Sequence, residues 1–104
     1  VATKKAAKAK TAKGGRPVIV RTYSAGVHFG YLRSRKGLEV ELTGSRRIWS
    51  WVGANTLSEI ALHGVGKGSR VAERVSVTLT QAIEIIDCTP ESVSSLEAAV
   101  WIPR

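Results

Sequence analysis

A chain of 104 residues with one cysteine and a net charge of +8 has room for one small domain and excludes an internal disulfide or a cysteine-rich metal cage. No apolar run approaches the roughly 20 residues that cross a bilayer, so a soluble protein with no membrane partner is expected. The charge is unevenly placed: up to Arg16 there are six cations and no acid, whereas from Pro17 onward ten cations face eight acids.

Residues 1–16 therefore read as a basic Ala/Lys-rich arm carrying Lys4, Lys5, Lys8, Lys10, Lys13 and Arg16. Ala and Lys are good helix formers, but this stretch has no apolar face to bury, so alone it should be flexible. Its composition is similar to linker-histone tails. Lysine-rich segments release counterions on meeting phosphates, which makes a polyanion or an acidic surface the natural contact.

Residues 17–104 read as a single β-rich domain. Val18 to Tyr23 is a β-branched strand, Ser24-Ala25-Gly26 turns it, and Val27 to Leu32 returns with Val27, Phe29 and Tyr31 on one face. Ser34 to Gly37 predicts a hairpin loop. Leu38 to Thr43 alternates strictly, which predicts that Leu38, Val40 and Leu42 are buried and Glu39, Glu41 and Thr43 wet. Gly44 to Arg47 predicts a turn into a fourth strand, Ile48 to Val52, on which Trp49 and Trp51 share a face and at least one ring belongs to the core.

Thr56, with Glu59 three residues on, marks a helix start as a capping box, and Gly64 is placed to end that helix. Gly64 to Ser69 predicts a mobile glycine-rich loop. Val71 to Leu79 and Ala82 to Cys88 read as a fifth and a sixth strand. Thr89-Pro90 opens a last helix whose apolar side is Val93, Leu96 and Val100. The expected architecture is α+β, mostly β: a compact bent antiparallel sheet or small open barrel of about six strands with two short helices.

Catalytic signatures are weak. Ser24, His28, His63, Asp87 and Cys88 are the residues from which a nucleophile and base could be built, but they are scattered over four elements and neither histidine has an acid at a paired spacing. Two histidines and one cysteine lack zinc-ligand spacing. Gly64-Val65-Gly66-Lys67-Gly68-Ser69 fails as a nucleotide loop, since Ala61 stands where the first glycine is needed and Gly68 where a Ser or Thr should follow the lysine. Gly15-Arg16-Pro17 resembles the core of an AT-hook, although Gly14 stands where that motif has an arginine. Arg46-Arg47-Ile48-Trp49-Ser50-Trp51 interleaves cations with aromatic rings, the composition of a base-stacking platform.

Arg21 to Gly30, together with Arg46 to Trp51 and Gly53 to Ala61, resembles a family of small proteins of unassigned function encoded by tailed bacteriophages. The likeness covers about residues 17 to 88, leaves out the arm and carries no activity or binding residue. It implies a phage or prophage origin.

Two expectations result. The first is a non-enzymatic virion component, a multi-copy capsid decoration or minor head protein that docks on the capsid or another large phage assembly and is anchored by its arm. The alternative is a phage nucleic-acid-binding or host-takeover factor acting in the host cytoplasm, with DNA or RNA held by the basic arm and an Arg/Trp surface that includes Arg35, Lys36, Arg46 and Arg47. The residues expected to touch polyanion or partner are Lys4, Lys5, Lys8, Lys10, Lys13, Arg16, Arg35, Lys36, Arg46, Arg47 and Trp49. No catalytic, cofactor or metal site is expected.

Overall fold

A computed structural model describes residues 15–99; Lys4, Lys5, Lys8, Lys10, Lys13 and Val100 lie outside the described residues. In chain order the elements are β1 (Arg16–Thr22), β2 (Val27–Lys36), β3 (Glu39–Ser50), α1 (Leu57–His63), β4 (Arg70–Val71), β5 (Val75–Leu79), β6 (Ala82–Asp87) and α2 (Pro90–Ala98). All pairings are antiparallel. β2 lies between β1 and β3, β6 pairs with the outer side of β1, and β4 and β5 pair with two different stretches of β3.

One short connection sets the curvature. β5 belongs to the β3 side of the sheet and β6 to the β1 side, yet only two residues separate Leu79 from Ala82. Three residue steps span roughly 10 Å at most, so the two ends of the sheet must curl toward each other. The Ala82 amide donates to the Leu38 carbonyl at 3.0 Å, fastening this junction to the tip of the β2–β3 hairpin. The result is a strongly bent, open barrel-like sheet.

Bending gives the sheet two apolar faces. Val18, Val20, Val40, Leu42, Leu79 and Ala82 form one cluster. Ile19, Phe29, Tyr31, Ile48 and Val71 belong to the other, which Ile60 and Ala61 of α1 and Leu96 of α2 cover. β1 contributes to both clusters, which explains the unbroken apolar run Val18-Ile19-Val20. Phe29 and Tyr31 meet edge to face, with ring centroids 5.5 Å apart.

The helices start and stop as their cap residues dictate. The Thr56 hydroxyl accepts from the Glu59 amide at 3.2 Å, and the Glu59 carboxylate accepts from the Asn55 amide at 2.7 Å, one residue earlier than in the standard box. Gly64, at φ 85°, closes α1 by donating to the Ile60 carbonyl. Thr89 caps α2 through the Ser92 amide and also reaches back to α1: its amide donates to Ala61 O at 2.9 Å and its hydroxyl to Leu62 O. Ser92 Oγ donates to Ile60 O at 2.6 Å. The orphan carbonyls at the end of α1 are thus satisfied by the start of α2.

Four local expectations are corrected. The third and fourth strands are one strand, because Gly44 (φ 55°) and Ser45 form a bulge opposite Gly30 that bends β3 without breaking its pairing to β2. The stretch from Val71 to Leu79 divides into β4 and β5, with residues 72–74 leaving the ladder between them. Leu38 is 60% exposed, since β2 runs on to Lys36 and Leu38 falls in the turn beside Gly37. The glycine-rich loop is tied down: Gly66 N donates to Val52 O at 2.7 Å, Val52 N to Ser69 Oγ at 2.9 Å, and Ser95 Oγ bonds both polar backbone groups of Val65.

Candidate polyanion-binding surface

The register between β3 and β4 decides what the tryptophans do. Ile48 pairs with Val71 and Ser50 with Arg70, so three residues of β3 stand opposite two of β4, with Trp49 the extra one. Trp49 keeps the alternation: with Arg46 and Ile48 turned inward, it lies on the outer face that Arg47 holds two residues earlier, and it is 42% exposed. Strict alternation would put Trp51 on that face too, but the period fails at the bulge. Trp51 packs, partly buried, against the helix-covered cluster. One ring therefore lies against the core and the other reaches the surface.

Across the same bulge the Arg70 guanidinium carbon sits 5.1 Å from the Trp49 ring centroid, a cation–π arrangement. Arg47, exposed and two residues before Trp49, extends the positive surface along β3. Beside Arg70, a groove is lined by Val65, Lys67, Ser69, Ser95 and Ala98 among others. Lys67 and Arg70 both line it, in a loop that bonds to Val52 and Ser95 tie down.

Arg46 does not belong to this surface. It is 3% exposed. Its Nε donates to Ala72 O at 2.7 Å, Nη1 to Leu96 O at 2.8 Å and Nη2 to Val71 O at 3.3 Å. Burial, and after it the nearby Arg74, pull its pKa below the ordinary guanidinium value, with Glu97 opposing them. The adjacent cations Arg46 and Arg47 point to opposite sides of β3, as the two-residue period requires.

The remaining expected contact residues are dispersed. Arg16 pairs with Asp87 at 2.8 Å on the surface. Arg35 donates to Gly37 O at 3.2 Å, and Lys36 is exposed at the end of β2. The hairpin cations Arg35 and Lys36 therefore lie at the opposite end of β3 from Arg47 and Trp49 and do not join them in one patch. Sequence reasoning missed Arg70 and Lys67, because no local pattern in a glycine-rich stretch shows which strand the next residues will pair with.

The candidate catalytic residues are not brought together. His28 is buried, with Nε2 bonded to Ala25 O at 2.9 Å. Desolvation lowers its pKa, the Ala25 bond opposes that, and the Arg47 charge adds to it. Cys88 lies beside Pro17, at the other end of β1 from the Val20 that pairs with His28. Burial pushes its thiol up to about 12. His63 contacts Glu91 on the surface. Among the described residues no three His, Cys, Asp or Glu side chains cluster to hold a metal, and no helix is long and apolar enough to cross a membrane.

Comparison with family models matches residues 15–96 to a domain of unknown function, DUF6948. The chain belongs to that family. The matched span of this DUF6948 protein runs from the glycine before β1 into α2, and so takes in the whole sheet, both bulges of β3 and the Trp49–Arg70 pair. Searches of curated proteins and of solved structures returned no match.

Proposed function

We propose that this DUF6948 protein is a non-enzymatic binding protein that docks on a large phage assembly, as a decoration or minor head component, with its basic arm as anchor. The distribution of exposed charge carries this reading. Asp87, Glu84, Glu97 and Glu91 are engaged by Arg16, Arg21, Arg74 and His63. Arg33, Arg35, Lys36, Arg47, Lys67 and Arg70 are exposed and have no ion pair among the described residues.

Four of the eight acids are thus paired within the domain, leaving Glu39, Glu41, Glu59 and Glu73 against six outward-facing cations. Such a surface favours an anionic partner over a neutral one, and the arm adds five lysines and no acid. The resemblance to tailed-phage proteins supports placing that partner in a phage assembly.

The experiment is quantification against the major capsid protein in purified particles from a source that makes them. A fixed copy ratio, in hundreds per particle, is the expected result. Absence from particles, with abundance in the infected cell, overturns it.

A further inference from the structure

One edge of β5 pairs with β3, and no described strand pairs with the other. Open edges are normally blunted by charge, proline, a bulge or shortness. The other two open edges of the described sheet are blunted in this way: β4 has two residues and carries Arg70, and β6 carries Glu84 and Asp87. β5 is not. Val75-Ser76-Val77-Thr78-Leu79 holds no charge, proline or glycine, and the extra residue of the bulge opposite it lies in β3. We propose that β5 is a self-association edge, on which the β5 of a second copy pairs antiparallel about a two-fold axis at Val77.

In that register both faces of the strand are complementary to their own reverse. Val75 stands opposite Leu79 of the second copy, Val77 opposite Val77, and Ser76 opposite Thr78. On the inner face Leu79 belongs to the cluster of Val18, Val20, Val40, Leu42 and Ala82, and Val77 packs against it. The two-residue period puts Val75 on that same face, yet it is 57% exposed, against 4% for Leu79. The apolar cluster therefore stops short of the end of the strand. Pairing sets each Val75 beside Leu79 of the other copy, so that the cluster runs on from one copy into the next. On the outer face Ser76 and Thr78 are exposed, and hydroxyls directly opposite each other in an antiparallel pair hydrogen-bond.

Neighbouring registers lose this match. Moving the axis to Ser76 brings Glu73 opposite Leu79, and moving it to Thr78 brings Val75 opposite Gln81. The Val77 axis matches all five residues and sets no charge against an apolar side chain.

A five-residue edge is a small contact, in the class of transient interfaces, so the dimer depends on concentration. A two-fold contact is closed and stops at two copies. The proposal is independent of the particle reading: absence from virions leaves it standing, and a protein that stays monomeric leaves the copy-ratio experiment unaffected.

The test is equilibrium sedimentation of the full chain from about 10 μM to about 1 mM, a range that brackets weak association, with salt added to screen repulsion between the cationic copies. The mass should rise from 11.2 kDa toward twice that value and no further. Val75→Lys changes a side chain already exposed in the single copy and should weaken dimerisation about tenfold or more, because it sets an ammonium against Leu79. Urea melts show whether that variant folds. Register is read separately by diamide oxidation of Ser76→Cys and Thr78→Cys, with wild type as the control for Cys88. Directly opposite Cβ atoms stand about 5 Å apart and diagonal ones about 7 Å, and only the former approach disulfide reach. The two variants mixed should therefore cross-link faster than either alone. A monomer at every concentration, a dimer untouched by Val75→Lys, or cross-linking no faster in the mixture than in the separate variants overturns the proposal.

Discussion

The guanidinium of Arg46 donates to the backbone carbonyl of Leu96 over 2.8 Å, joining the middle of β3 to the last turn of α2. The last carbonyls of a helix carry a partial negative charge and no intrahelical partner. A buried cation aimed at them satisfies both sides. Arg46 also takes Ala72 O and Val71 O, so one side chain fastens the bulged strand, β4 and α2 together. Arg46→Ala strands several buried carbonyls at about 1–3 kcal/mol each. It should destabilise the domain by about 3 kcal/mol or more in a urea melt, whereas the exposed neighbour Arg47→Ala should shift it by less than about 0.5 kcal/mol.

The junction between the helices gives a second test. Thr89 caps α2 and donates to Leu62 O, and Ser92 Oγ donates to Ile60 O. Thr89→Ala removes a cap and leaves a carbonyl of α1 without its partner, a loss of about 1–2 kcal/mol. Thr89→Ser keeps both bonds and should recover most of it. Denaturant melts of the two variants check this.

Gly64 holds the same junction sterically. A Cβ added there would lie 2.2 Å from Ser95 Cβ, at a φ of 85°. Gly64→Ala therefore combines backbone strain of about 1–2 kcal/mol with overpacking of about 1–3 kcal/mol. A fall of about 3 kcal/mol in unfolding free energy is expected, and a stability within error of wild type would show that α2 can move away without cost.

Acid should weaken the fold through His28. Its folded pKa lies below the usual 6.5 because burial disfavours the imidazolium, the bond to Ala25 O opposing and the Arg47 charge adding to that effect. Below 6.5 the unfolded chain takes up a proton that the folded one refuses, so stability is lost as pH falls from about 6.5 toward the lowered folded value. Melting midpoints at pH 7.5 and 5.0 should differ, and the difference should shrink in His28→Gln, which still donates to the Ala25 carbonyl.

Cys88 offers a probe of local opening. With its thiol pushed up to about 12 by burial, almost none is thiolate at neutral pH, and the thiolate is the reacting species. Iodoacetamide should alkylate it far more slowly in the native protein than in urea. Equal rates would mean that the β6–α2 junction opens freely.

Much of the fold is local in origin and was therefore legible from residues alone. The run Val18-Ile19-Val20, the alternation through Val40 and Leu42, the Thr56 and Thr89 caps and the stop at Gly64 are each specified by neighbours a few positions away. The cationic arm is likewise a matter of composition. Leu38 escaped because a period of two predicts a face only while the strand continues, and the turn had moved.

Tertiary structure decided which of the expected residues share a surface. Whether Gly44 ends a strand or bends it depends on whether β2 pairs on both sides of it, and the same pairing places Arg46 inside and Arg47 outside. Trp49 keeps the outward face it shares with Arg47, whereas Trp51, beyond a one-residue mismatch with a two-residue strand some twenty positions later, packs against the core. Arg70 reached it by that register. Contacts between residues distant in sequence are set by loop closure and pairing across the whole sheet, and no local pattern records them.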